Sequence, residues 1–203
     1  LLPLVTLGIV NAIIRFGLDR SVCKSDVLTA GFLTLFIGFA ALFLFWPLIS
    51  KISIISGNTF LVYLFVLTSS LRSICSNFVR ARGYVRLYAL DGVLSTITTI
   101  LFNVLFLVVF QFGVLGYVMA IVCSDLLSAG FLFIVAGLHK YIRIRNLDKD
   151  VWKQMLLYSL PLIPNTICWW ITNVSDRYIV TYMLGHTADG LYAVSYKLPT
   201  IIS

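Results

Sequence analysis

Residues 158–199 read YSLPLIPNTICWWITNVSDRYIVTYMLGHTADGLYAVSYKLP, two apolar helices joined by a short GHTADG connection, and this stretch decides the fold. The helices carry Asp176, Arg177 and Lys197, and an ionised side chain at mid-bilayer costs about 2.5–3.5 kcal/mol unless it faces protein or water. A water-filled cavity lined by these helices is therefore expected, with the rest of the chain as its scaffold.

Composition supports a membrane interior. The 203 residues are 60% hydrophobic and only 11% charged, and the mean hydropathy is +1.00. Soluble domains carry about a quarter charged residues. The fold class is an all-α polytopic membrane protein. A net charge of +7 in short loops between apolar runs reports orientation in a bilayer, so no nucleic acid partner is expected. Leu1 opens inside an apolar helix and Ser203 falls just after another has begun, so a fragment of a longer protein is expected, with no signal peptide in view.

Spans follow from apolar runs near the roughly 20 residues that cross a 30 Å core. Leu1 to Gly17 is the tail of a first helix, Val27 to Leu48 a second with Trp46 and Pro47 at its interfacial end, and Gly57 to Val79 a third. Arg86 to Phe110 and Gly113 to Leu138 form a fourth and fifth, almost directly joined. HKYIRIRNLDKD, residues 139–150, is the longest polar stretch and the expected linker between two halves. A sixth helix should start near Val151, capped by Asp148 or Asp150, and run to about Leu184, bent at Pro161 and Pro164. A seventh begins at Leu191.

Basic residues fall on one side. Arg15, Arg20, Lys24, Arg80, Arg82, Arg86, Lys140, Arg143, Arg145, Lys149 and Lys153 lie on it, against Lys51 in the loops of the other. The first side is expected to be cytoplasmic. Only Arg72, Arg177 and Lys197 remain inside spans.

SLPLIPN with the later WW, then SDRYI, then GLYAVSYKLP, taken in that order and spacing, resembles the Wzx-like polysaccharide-biosynthesis (PST) branch of the MOP exporter superfamily. LLPLVTLGIVNAIIRFGLDR extends the likeness and looks like the end of helix two in those proteins. The resemblance implies a two-lobe MOP/MATE-like fold of twelve or more transmembrane helices, with a substrate cavity between lobes related by pseudo-symmetry. Residues 1–138 would hold helices two to six of the N-terminal lobe, 139–150 a cytoplasmic linker, and 151–203 the start of the C-terminal lobe. Many members carry an acidic residue where Val10 and Asn11 stand here, so no ion role is carried to that position.

The implied function is a flippase that moves a polyprenyl-diphosphate-linked oligosaccharide, an O-antigen, capsule or exopolysaccharide repeat unit, across the bacterial cytoplasmic membrane by alternating access. Its implied partners are that lipid-linked oligosaccharide, membrane lipids and other polysaccharide-assembly proteins. Three alternatives stay open: a MATE-like cation-coupled multidrug antiporter, with an acidic and aromatic cavity; a membrane glycosyltransferase or polymerase, with a carboxylate pair or metal motif in an outer loop; and a purely structural membrane subunit, in which Lys197→Ala would leave export intact. No enzymatic activity, metal or cofactor is expected. The sequence has no glutamate and no CxxC, GxSxG, HExxH or P-loop. Cys23, Cys75, Cys123 and Cys168 read as buried, unpaired thiols.

Substrate binding would fall to cations, because a diphosphate is the most demanding group to carry through a low-dielectric barrier. Lys197 either snorkels outward or meets that anion. Asp176 and Arg177 are adjacent and about 100° apart on a helix, so they cannot simply neutralise each other. Arg72 either snorkels towards the cytoplasmic loop or faces the cavity, and Arg15 is an interfacial arginine or part of a substrate entry. Asp125 and Asp91 are the ion-coupling candidates, or the balance to an arginine such as Arg72. Asn103, Asn165, Asn173 and the Ser95 to Thr99 run suit helix–helix hydrogen bonds. Trp169 and Trp170 suit sugar stacking or packing, and the Asp148–Asp150 pair suits a helix cap over a metal-binding DxD.

Overall fold

The computed structural model describes residues 5–19, 21–44, 59–142 and 148–185, with 190, 192 and 195 besides; the side chains of residues 173 and 177 are left aside. Arg20, the Trp46 to Lys51 segment, Arg143, Arg145 and Lys197 lie outside the described residues, as does the expected seventh helix from Leu191 apart from 192 and 195. Helices α1 (Ile9–Leu18), α2 (Lys24–Leu44), α3 (Thr59–Ala81), α4 (Val85–Asn103), α5 (Val114–Val135), α6 (Lys149–Ser159) and α7 (Leu162–Leu184) follow in order, with no strand among the described residues. Four stretches are long and apolar enough to cross a membrane: Lys24–Leu44, Thr59–Ala81, Val85–Val109 and Val114–Val135. Helix α7 is long enough at 23 residues but is not among them. Asn165, Asn173, Asp176 and Arg177 dilute its apolar character.

Two compact units divide at Pro161. In the first, α3 packs most extensively on α5, α4 lies against α5, and α1 lies across α3. Apolar burial drives little association inside lipid, where tails are as apolar as leucine; close packing and interhelical hydrogen bonds hold such helices instead. Ile13, Leu28, Ile74, Phe78 and Leu132 are all but fully buried at the common core. Small residues set the closest approach. A Cβ at Gly17 of α1 would lie 2.6 Å from the Cβ of Ala81 at the end of α3, below any contact that real side chains make.

Helix α3 ends in a Schellman motif, with Gly83 at φ +81°, the Gly83 N–H on the Arg80 carbonyl at 3.0 Å and the Tyr84 N–H on the Val79 carbonyl at 3.2 Å. The chain therefore reverses within three residues and α4 starts at Val85. Val104–Val109 continues α4 as a π-helix rather than α-helix. It closes with the Phe110 N–H on the Leu105 carbonyl at 3.0 Å, a five-residue step.

After α5, the 3-10 turn Leu138–Tyr141 is tied to α2, since the Ser25 hydroxyl donates to the Tyr141 carbonyl at 2.7 Å. Asp148 caps α6 by accepting the Asp150 N–H at 2.9 Å, the role expected for this pair. Helix α6 packs on α1 and α2, and the Trp152 Nε1–H donates to the Thr34 hydroxyl at 3.0 Å.

The expected single sixth helix is two. Pro161 has no N–H, and its ring clashes with the carbonyl four residues earlier, so α6 stops at Ser159 and α7 restarts at Leu162. Pro164 falls in the first turn of α7, where a missing N–H costs nothing. The second unit contains α7, whose Trp169, Trp170, Tyr178 and Tyr182 are exposed. All four cysteines are free, but only Cys75 is buried, while Cys23 and Cys168 are exposed.

Candidate functional site

Helical spacing assembles the site. Ser69 and Arg72 stand three apart on α3, Asp91 and Ser95 four apart on α4, and Asp125 and Ser128 three apart on α5, so each pair shares one helix face. The three faces meet at Arg72. Its Nη1–H donates to Asp125 Oδ1 at 3.0 Å, its Nε–H to Ser128 Oγ at 3.0 Å, and its Nη2–H to Ser95 Oγ at 2.6 Å.

Serines complete the network. Ser69 donates its hydroxyl to Asp125 Oδ2, and Ser128 donates its own to Asp91 Oδ1. Asp125 is thus satisfied at both oxygens. Asp91 meets the guanidinium only at 4.0 Å, the outer limit of an ion pair, and is 1% exposed. Arg72 reaches it chiefly through Ser128, which accepts from Nε and donates its own hydroxyl to the carboxylate.

A second layer fixes α4 on α5. Ser124 donates to the Ser95 carbonyl at 3.0 Å, Thr99 donates to Ser124 Oγ at 2.8 Å, and the Thr98 and Ser124 hydroxyls lie 2.8 Å apart. The Ser95 to Thr99 run therefore makes the helix–helix bonds expected of it. Asn103 does not; its Oδ1 is buried without a hydrogen-bond partner.

One edge of the network opens into a pocket of about 380 Å³ between α3 and α5, lined by Ser69, Arg72, Ser73, Ser76, Asn77 and Asp125, with Phe65 and Ile121 as its apolar walls. The side chain of Arg72 is 29% exposed and that of Asp125 6%, so the guanidinium is the charge that reaches it. Formally the network holds one positive and two negative charges. In a bilayer interior one further positive charge would balance it.

The structure thus brings together three of the six residues singled out, Arg72, Asp125 and Asp91. Arg72 points at carboxylates on neighbouring helices rather than at the α3–α4 turn. Arg15 sits apart, exposed in the last turn of α1, with its guanidinium 4.3 Å from the centre of the Tyr158 ring. The backbone of Arg177 is helical within α7, while its side chain and Lys197 lie outside what is described. Ser69 and Ser128 were not singled out, although their three-residue spacing from Arg72 and Asp125 is legible in the sequence. Among the described residues no group of His, Cys, Asp or Glu is placed to hold a metal ion.

No curated protein and no solved structure is significantly similar to the chain. A family profile described as "Polysaccharide biosynthesis protein" matches residues 2–203. With four stretches long and apolar enough to cross a membrane and a family profile that matches nearly its whole length, the chain is a membrane protein belonging to the polysaccharide biosynthesis protein family.

Proposed function

We propose that the protein is a multi-pass flippase of the bacterial cytoplasmic membrane that carries a polyprenyl-diphosphate-linked oligosaccharide to the outer leaflet by alternating access, making and breaking no covalent bond. The family match over residues 2–203 carries the reading. Two features support it: ionisable residues placed where the spanning helices meet, and basic residues on one side of the spans, which would be cytoplasmic.

The sugar and diphosphate would occupy a polar cavity while the polyprenyl chain stays in lipid. Lys197 and Arg177 are the proposed anion contacts, with Arg72 and Arg15 next. Arg72 is committed to Asp125, so it would reach a substrate only from the pocket edge. Asp125 and Asp91 are the proposed coupling groups. A proton or cation taken up beside them balances the second carboxylate, and its release on the far side restores the excess, which gives the network two charge states to alternate between.

The test is surface-polysaccharide production by the full-length protein in a strain lacking its own exporter, with lipid-linked intermediates and membrane abundance measured together. Lys197→Ala combined with Arg177→Ala should lower surface polysaccharide at least tenfold at unchanged abundance and raise the lipid-linked intermediate. Normal export by a well-expressed double variant removes the anion-contact assignment. Normal export without any copy of the protein removes the flippase reading.

A further inference from the structure

We propose that the α3–α4 turn binds the phosphate of an anionic glycerophospholipid whose acyl chain lies along the outer face of α4. The turn carries Arg80, Arg82 and Arg86 within seven residues, and none of them pairs with a carboxylate among the described residues. No acidic residue stands in the first turn of α4. Three guanidinium groups therefore share one turn without a counter-charge, the arrangement that recognises phosphate oxygens.

The turn is also shaped. A pocket of about 560 Å³ lies there, lined by Gly83, Tyr84, Arg86 and Leu87 of the turn and by Val135 and Ala136 at the end of α5. Arg82, one residue before the lining residue Gly83 in the chain, is held 4.6 Å from the centre of the Tyr141 ring and donates one Nη2–H to the Tyr141 hydroxyl at 2.8 Å. A second, longer bond runs from Nη2 to the Tyr84 hydroxyl at 3.4 Å, which leaves three of its five N–H donors to an anion.

An apolar track leaves the pocket. Leu90, Val93 and Ile97 follow Arg86 at four, seven and eleven residues, so all share its helix face, and each is 58–60% exposed. From Arg86 to Ile97 is about 16 Å along the axis, close to the depth of one leaflet of a roughly 30 Å core. A phosphate at the turn and one acyl chain along α4 match that length, whereas a polyprenyl chain would far exceed it.

Native mass spectrometry of the full-length protein, equilibrated with equal amounts of phosphatidylglycerol and phosphatidylcholine, reads the site directly. The wild type should retain phosphatidylglycerol in preference, Arg82→Gln with Arg86→Gln should lose at least fivefold of it, and Lys153→Gln, a basic residue on α6, should stay within twofold. Should the double variant not fold, Arg86→Gln alone, an exposed position, should lose about threefold. Equal retention of the two lipids, an unchanged arginine variant, or an equal loss in Lys153→Gln overturns the proposal. So does complete displacement of phosphatidylglycerol by equimolar polyprenyl phosphate, which would assign the turn to a carrier lipid.

Discussion

Arg72 of α3 and Asp125 of α5 meet at 3.0 Å although 53 residues separate them in the chain. This pair joins the two most extensively packed helices of the first unit, and each partner is held by a serine on the facing helix, Arg72 by Ser128 and Asp125 by Ser69. Asp125→Ala leaves the guanidinium facing Asp91 at 4.0 Å as its nearest counter-charge. Interhelical polar contacts in bilayers average about 0.6 kcal/mol and reach about 1.7, and the partial exposure of Arg72 argues against a larger figure. Asp125→Ala and Arg72→Ala should each cost about 1–2 kcal/mol, and the double variant less than their sum. A thermal-unfolding double-mutant cycle in detergent checks this; strict additivity would mean that the pair contributes nothing jointly.

Asp91 should behave differently. It is the second carboxylate against one arginine and its hydrogen bond comes through Ser128, so Asp91→Asn leaves a network with one charge of each sign. Abundance in the membrane should stay within twofold of wild type. Export should fall about tenfold if alternation between two charge states drives the cycle. Parallel assays of membrane level and surface polysaccharide separate these outcomes, and full export by Asp91→Asn would relieve Asp91 of a coupling role.

How far these relationships could be read beforehand depends on the kind of signal. Helix positions are legible where apolar runs of spanning length end at Gly or basic residues, as at Gly83, whereas Pro161 reads as a bend and in fact ends the helix. The Asp148 cap was legible from local chemistry. The meeting of Arg72, Asp91 and Asp125 was open in the sequence, since the rotation of one helix against another is set by packing over many residues. Ser69 and Ser128 were overlooked for a related reason. A hydroxyl in an apolar helix commonly turns back to its own carbonyl four residues earlier, as Thr34 does to Ala30, and nothing local tells that use from a bond across helices. The change from α- to π-helix at Val104 has no marker in the residue types.

Close approach gives a third expectation. With 2.6 Å between a Cβ at Gly17 and that of Ala81, Gly17→Val must push α1 away from α3 and disturb the contacts of Ile13 and Phe78 nearby in the core. A cost of about 1–3 kcal/mol is typical of overpacking. Thermal unfolding should drop by several degrees, and Gly17→Val combined with Ala81→Gly should recover most of the loss. A double variant as unstable as the single one would locate the strain elsewhere.

Outside the spans, Asp19 links the end of α1 to the start of α2. Its carboxylate accepts the Ser21 N–H at 2.9 Å and the Ser21 hydroxyl at 2.7 Å, and these bonds, helped by the charges of Lys24 and Arg15, hold it below the usual carboxylate range. A group whose folded value is depressed stabilises the fold above its unfolded value, and that contribution fades as pH falls through the lower folded value. The turn should therefore keep its geometry through mildly acidic pH and loosen only under strongly acidic conditions. Ser21→Ala removes the hydroxyl but keeps the backbone donor, so the Asp19 titration should move up part of the way towards the ordinary range. Carboxyl-carbon NMR of the aspartates across an acid titration reads both values, and a titration of Asp19 indifferent to Ser21→Ala would assign the shift to the backbone donor and the neighbouring cations alone.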